Sequence, residues 1–266
     1  MGELLDVRRE GSIARVVMHR GGNNAIAGDL VDELQAAFEE LGADRDCRAV
    51  VLQSDYDRYF SVGADLSAMG GIDRTAADAE EQIFRMIRAM AAGFSAIEAC
   101  PKPVVARING HALGGGCELT LCCDYRVMVE DGRSRIGQTE AALGIIPGVG
   151  GTQRLVRLVG RAAALPLLYE GTRLSAAEAA AIRLVDRAVP PQQLDQTVDE
   201  LAGRLSRAAT FAIAMIKDAV NRPQDLPLSE ALEIEARNFA RAALSEDAVV
   251  GIVSFFQKTD PEFRGR

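Results

Sequence analysis

The chain contains no tryptophan, and aromatic residues make up only 5% of its 266 positions. Its core must therefore be built from aliphatic side chains and alanine. Histidine occurs twice, as His19 and His111, and the five cysteines show no C-x-x-C spacing, which argues against a structural zinc site. The odd count, with Cys122 next to Cys123, argues against a disulfide framework and for a reducing compartment. Basic residues are in the minority, 30 Lys and Arg against 38 Asp and Glu, for a net charge of −8. A nucleic-acid-binding face wants the opposite balance. A small anionic ligand is still compatible, because a few local cations and helix N-termini suffice. The longest strongly apolar run, Ala208 to Ile216, is too short to cross a bilayer. The N-terminus, Met-Gly-Glu-Leu-Leu-Asp, lacks a basic region followed by an apolar stretch. The sequence predicts a soluble, cytoplasmic protein with no membrane, nucleic-acid or metal partner.

The rest of the composition is ordinary, with 48% hydrophobic and 26% charged residues, and the length supports a large core. Strand patterns occur at Ile13 to Met18, Arg48 to Gln53, Val104 to Ile108 and Tyr125 to Val129. Between them, Leu30, Val31, Leu34, Ala37, Phe38 and Leu41 recur at helical spacing, and Ala76 to Ile97 reads as a long helix stopped by Pro101 and Pro103. Recurring βα units predict an α/β fold. The character changes near Pro190. Before it come a short helix, Ala176 to Ala181, and a short strand, Leu184 to Ala188. After it only helical patterns remain, at Leu194 to Ala208, Phe211 to Val220, Ser229 to Ala243 and Glu246 to Phe256. The division expected is residues 1–190 and 191–266.

The chemistry concentrates between Asn109 and Glu140. Gly114-Gly115-Gly116 precedes a helical pattern running through Cys122. Glycine lets the backbone approach a ligand closely, and N–H groups at a helix start have no intrahelical partner. An oxyanion placed there is stabilised, by a few kcal/mol per donor. A tight strand-to-helix turn explains the same glycines without a ligand; a Walker phosphate loop does not, because no Gly-Lys-Ser/Thr follows. Glu118 sits in the first helical turn among Leu113, Cys117, Leu119, Leu121 and Cys122. Those neighbours predict burial, and burial raises a carboxyl pKa toward the range useful for acid–base work. Glu140 lies beside the apolar Ala141 to Gly148 stretch and completes a pair of candidate acid and base groups. The turn Phe60-Ser61-Val62-Gly63-Ala64-Asp65-Leu66 is a candidate for another backbone donor.

Taken in order, these segments resemble the crotonase (enoyl-CoA hydratase/isomerase) superfamily. The matching stretches are His19-Arg20 through Asn24-Ala25-Ile26, Phe60 to Leu66, Asn109 to Leu119 continuing to Cys123-Asp124, and Gly137 to Glu140 through Gly144 to Leu155. Phe255-Phe256 with Lys258 closes the series. The resemblance spans nearly the whole chain. It implies a spiral of ββα turns with a C-terminal helical oligomerisation region, assembled as a trimer or a dimer of trimers. It implies an acyl-CoA thioester as substrate and no cofactor.

Carried over residue by residue, the backbone N–H groups of Ala64 and Gly115 would form an oxyanion hole for the thioester carbonyl. Glu118 would activate water, Glu140 would deliver a proton to the α-carbon, and the Gly148 backbone would help hold the water. Ala64 to Met69 would wrap the adenine and pantetheine, with Arg20, Ala25, Asp65, Leu66, Met69, Gly114 and Lys258 as contacts to the CoA portion. The chain departs from the family pattern at Gly21 and Thr139, where proline is frequent, and at Ser67, where lysine is frequent. The reaction implied is hydration of 2-trans-enoyl-CoA to 3-hydroxyacyl-CoA. The alternatives are an enoyl-CoA isomerase or another crotonase-type acyl-CoA lyase or hydrolase, and a noncatalytic acyl-CoA- or RNA-binding member. The apolar residues Leu232, Ile234, Phe239, Leu244, Val249, Val250, Ile252 and Phe255 are expected to be buried between subunits.

Overall fold

The structure is a computed structural model that describes residues 2–67 and 72–266. Strands β1 (Leu5–Glu10) and β2 (Ile13–Met18) form an antiparallel hairpin and are followed by helix α1 (Gly28–Ala43). Next come β3 (Ala49–Ser54), β4 (Tyr59–Ser61) and α2 (Ala79–Ala99), then β5 (Val104–Ile108), β6 (His111–Leu113) and α3 (Gly115–Leu121). The fourth repeat is β7 (Tyr125–Val129), β8 (Ile136–Gly137) and α4 (Gly151–Glu170). After α5 (Ala176–Ala181) and β9 (Arg187–Val189), only helical elements follow among the described residues: a 3-10 turn at Pro191–Gln193, α6 (Leu194–Arg207), α7 (Thr210–Asn221), α8 (Leu228–Ala243) and α9 (Glu246–Gln257).

From the second ββα repeat onward, each turn sends one strand to each of two sheets. The larger has six strands in the order β1-β2-β3-β5-β7-β9, parallel from β2 onward. The smaller is parallel, β4-β6-β8. The large sheet is covered on both faces, so its strands read as continuous apolar runs rather than alternating ones. Val50 and Leu52 of β3 point into the main core with Val16, Val104, Ala106 and Met128. Val51, Val105 and Val127 point to the other face, as the period-two geometry of a strand requires. That second face is closed by Leu194, Val198, Leu201 and Ala202 of α6. The last strand thus ends where the compositional change near Pro190 was expected, but α6, beyond it, still packs on the sheet.

The helix over α1 buries the six apolar residues that hydrophobic spacing predicts. It meets α2 closely at Gly93, where an added β-carbon would lie 2.3 Å from Val31 Cγ1. Helix α4 is not revealed by spacing. It is two helical segments joined across Gly160, whose φ of 75° and ψ of 158° break the helix, and Pro166 further disturbs the pattern. All five cysteines are free and buried.

Candidate active site

The small sheet and the helix starts beyond it bring the chemistry together. Ala64 forms an isolated parallel bridge with Ile26: Ile26 N donates to Gly63 O at 2.8 Å, and Asp65 N donates to Ile26 O at 2.7 Å. In this pairing the N–H of Ala64 points away from Ile26. It faces Gly115, where a built β-carbon would lie 3.5 Å from Ala64 N. Gly115 is the first residue of α3, so its own N–H has no intrahelical acceptor. No described protein atom accepts from either N–H, which leaves two convergent donors at the positive end of a short helix.

This approach depends on glycine. Gly63 has φ of 97°, and a β-carbon there would lie 2.7 Å from Leu113 O and 3.3 Å from Gly115 N. Gly114, with φ of 52° and ψ of −123°, would place a β-carbon 2.7 Å from Glu140 Oε1. Side chains are excluded here because the two loops and a carboxylate pack on bare backbone.

Glu118 is 3% exposed. Its Oε1 accepts from the backbone N–H of Val149 at 2.9 Å and of Gly151 at 2.7 Å, leaving Oε2 for a proton. Burial pushes its carboxyl up to about 7, assisted by the nearby Glu140 and opposed by the two N–H donors. Two charge-assisted bonds contribute on the order of 1.5–3 kcal/mol each; the net upward shift means that desolvation outweighs them. Glu140 opens a 3-10 turn over Glu140–Leu143. Burial raises its carboxyl as well, and its Oε2 is buried with no described partner. Arg154 braces the turn that grips Glu118: its Nη1 donates to Val149 O at 2.9 Å while Nε and Nη2 hold Glu98 at 2.9 and 2.7 Å.

Of the residues singled out in the sequence, Ala64 lies against Gly115 and Glu140 against Gly114, and Glu118 is near enough to Glu140 for the two carboxyls to interact. Gly148 is exposed just before the Glu118-binding turn, its backbone beside Ile87, whose Cγ2 would lie 3.2 Å from an added β-carbon. Ala25 and Asp65 flank the bridge at Ala64, and both are tied to Arg20: its Nη1 donates to Ala25 O and to Asp65 Oδ2, each at 3.0 Å. Leu66 is 48% exposed beyond them, and Met69 lies outside the described residues. Lys258 stands apart as the exposed left-handed cap of α9, and no described side-chain bond links it to the site. Beside Ala64 a cavity of about 230 Å³ is lined by Ile26, Val31, Met86, Ile87 and Met90.

Some residues at the site were not named as functional from the sequence. Asn24 is fully buried with φ of 50°. Its Nδ2 donates to Ser54 Oγ at 2.8 Å and to Phe60 O at 3.1 Å, joining the ends of β3 and β4 beneath the Ala64 loop. An Asn-Ala pair after a Gly-Gly turn is the available signal, because Asn tolerates positive φ. Gln138 is 1% exposed and has neither amide atom partnered. A β-carbon on Gly151 would touch both Gln138 Nε2, at 2.7 Å, and Glu118 Cγ, at 3.0 Å. Nothing in its spacing sets Gln138 apart.

Two backbone donors facing each other across a Gly-Gly-Gly helix start, with two raised carboxyls beside them, sit on a ββα spiral. The sequence profile of the enoyl-CoA hydratase/isomerase family matches residues 8–266. The chain belongs to that family. It is 36% identical over 268 residues to a probable enoyl-CoA hydratase of Rhizobium meliloti, covering 99% of both chains. It is 35% identical to a crotonyl-CoA hydratase of Syntrophomonas wolfei, covering 90% of this chain and 89% of that one. Among solved structures, an enoyl-CoA hydratase of Geobacillus kaustophilus superposes with a TM-score of 0.91 at 31% identity, over 100% of this chain and 98% of the other. The family's fold thus extends along the described chain.

Proposed function

We propose that the protein hydrates 2-trans-enoyl-CoA thioesters to 3-hydroxyacyl-CoA. The observation that carries this reading is the pairing of two convergent free N–H donors, from Ala64 and Gly115, with two carboxyls raised by burial, Glu118 and Glu140. In the proposed reaction the thioester oxygen accepts from both N–H groups. Glu118 Oε2 takes a proton from water as the water oxygen bonds to the β-carbon. The α,β double-bond electrons shift toward the carbonyl, and the developing enolate oxygen is stabilised by the two donors. Glu140 then gives its proton to the α-carbon, so that water has added across the double bond. Raised pKa values suit both roles, because one group must be ionised and the other protonated near neutral pH. Because the carboxyls interact, the titration belongs to the pair. The cavity beside Ala64, mostly apolar but with Asp32 and Asp65 in its lining, suits the uncharged part of a thioester. The relatives, named a probable enoyl-CoA hydratase and a crotonyl-CoA hydratase, support this reaction over the isomerase alternative.

The test is loss of the conjugated-thioester absorbance on mixing with crotonyl-CoA. Glu118→Gln and Glu140→Gln are each expected to lower kcat by roughly 100- to 10,000-fold. A wild-type protein that leaves crotonyl-CoA and longer 2-enoyl-CoA thioesters unchanged would remove the hydratase assignment.

We further propose that α7–α9 form an interface between copies of the chain, in a trimer or a dimer of trimers. Phe239, Leu244, Phe255 and Phe256 are each more than 70% exposed in the single chain, far more apolar surface than a monomer keeps in contact with water. In such an assembly Lys258 is offered to a neighbouring subunit's CoA.

A further inference from the structure

One oxyanion donor lies on a helix start and the other on a loop. Gly115 is held by α3, but Ala64 has only the single bridge to Ile26. A side chain reinforces that bridge from outside. Arg20 Nη1 donates both to Ala25 O and to Asp65 Oδ2, so that one nitrogen links the two segments joined by the Ile26–Ala64 bridge. Arg20 Nε is held by Asp29 at 3.0 and 3.2 Å, which fixes the guanidinium to the first turn of α1. Asp65 is equally committed: its Oδ1 accepts from Ser67 N at 3.1 Å and Ser67 Oγ at 2.6 Å.

The family resemblance makes Arg20 a candidate contact to the CoA portion, whose phosphates a free guanidinium would suit. Its surroundings argue for a different role. One guanidinium shared by two carboxylates leaves a group of net negative charge, which repels a phosphate. The same pairing offsets part of the charge of Asp65, the residue immediately after the donor, next to where negative charge would develop on the substrate.

We propose that Arg20 is a positioning residue: its clasp on Ala25 and Asp65 keeps the Ala64 N–H aimed at the thioester oxygen and offsets part of the Asp65 charge beside it. This rests on the hydratase reading above. A donor displaced by a fraction of an ångström loses its value to the transition state while substrate binding elsewhere is untouched. The fork geometry of arginine matters because Nε holds Asp29 while Nη1 reaches Ala25 O and Asp65.

The experiment compares wild type, Arg20→Met, Arg20→Lys and Asp65→Asn on crotonyl-CoA and on crotonyl-pantetheine, which lacks the nucleotide phosphates. The expected result is a loss of kcat of roughly 10- to 100-fold on both thioesters with little change in KM, smaller for Arg20→Lys than for Arg20→Met. In parallel, the carbonyl stretching frequency of bound butyryl-CoA should return toward its free value in the variants. A loss confined to KM for crotonyl-CoA, and absent with crotonyl-pantetheine, would overturn the proposal and make Arg20 a phosphate ligand. Unchanged kcat and an unchanged carbonyl frequency would also overturn it. If Arg20→Met fails to fold by thermal melting, Arg20→Lys and Asp65→Asn carry the comparison. If the wild type hydrates neither thioester, the hydratase reading falls, and the carbonyl frequency still decides whether Arg20 positions the donor.

Discussion

Glu118 joins the sequence to the chemistry through burial. Its carboxyl is charged only at a cost, so its folded pKa lies near 7 against about 4.3 in an unfolded chain. The folded state therefore holds this proton more tightly. The associated stability is present below the unfolded value and is lost as pH rises through the folded one. The difference is about 4 kcal/mol. Glu118→Gln removes the titration, so its melting temperature should gain on the wild type as pH is raised from about 5 to about 8.5. A constant difference across that range would show that Glu118 is not strongly desolvated. Activity should follow the opposite limb, with kcat/KM falling below about pH 7 as Glu118 takes up its proton; a flat acid limb would argue against its role as base. At Gly63 the argument is steric. Alanine there has positive φ and a β-carbon 2.7 Å from Leu113 O. Gly63→Ala should cost about 1–3 kcal/mol in stability and most of the activity, read by urea unfolding and by crotonyl-CoA turnover.

Helix α3 carries Glu118 yet is only seven residues long, too short to be stable by itself. Its C-terminal end is held by Arg126, which is 5% exposed and donates to Thr120 O, Cys123 O and Leu184 O while pairing with Asp186 at 3.3 Å. A buried cation at a helix C-terminus satisfies carbonyls that would otherwise lack partners and complements the dipole. Arg126→Met should destabilise by about 3–5 kcal/mol, measured by denaturant unfolding; a loss below about 1 kcal/mol would mean that water replaces those bonds. The longer elements are legible because their periodicity is: β5 and β7 have the bounds that their apolar runs predict. The small sheet is hidden, because strands of two or three residues are too short to display a period. The same holds for α4, whose pattern resets at Gly160.

At the scale of the molecule, the distribution of apolar surface is uneven. The sheet is sealed on both faces, whereas α8 and α9 leave Phe239, Leu244 and Phe255 in the open. Phe255→Asp with Phe256→Asp should lower the sedimentation coefficient to that of a smaller species without melting the ββα spiral, whose core holds neither residue. A wild type that sediments as a monomer would overturn the interface. No described helix is long and apolar enough to cross a membrane, so lipid does not account for this face through a spanning helix.

Composition and periodicity were enough to specify an α/β chain with a helical end, and the ordered motifs its family; the same motifs marked two glutamates and glycine turns as a candidate site. These are local properties: apolar spacing, glycine where the backbone must approach, and a carboxylate set in an apolar helix. The tertiary structure decided what depends on distance between remote segments. It set Ala64 against Gly115, gave Glu118 the N–H groups of Val149 and Gly151 from 31 and 33 residues away, and joined Arg20 to Asp65, 45 residues on. Such pairings are fixed by how the ββα turns stack, and stacking depends on the whole core rather than on any one segment.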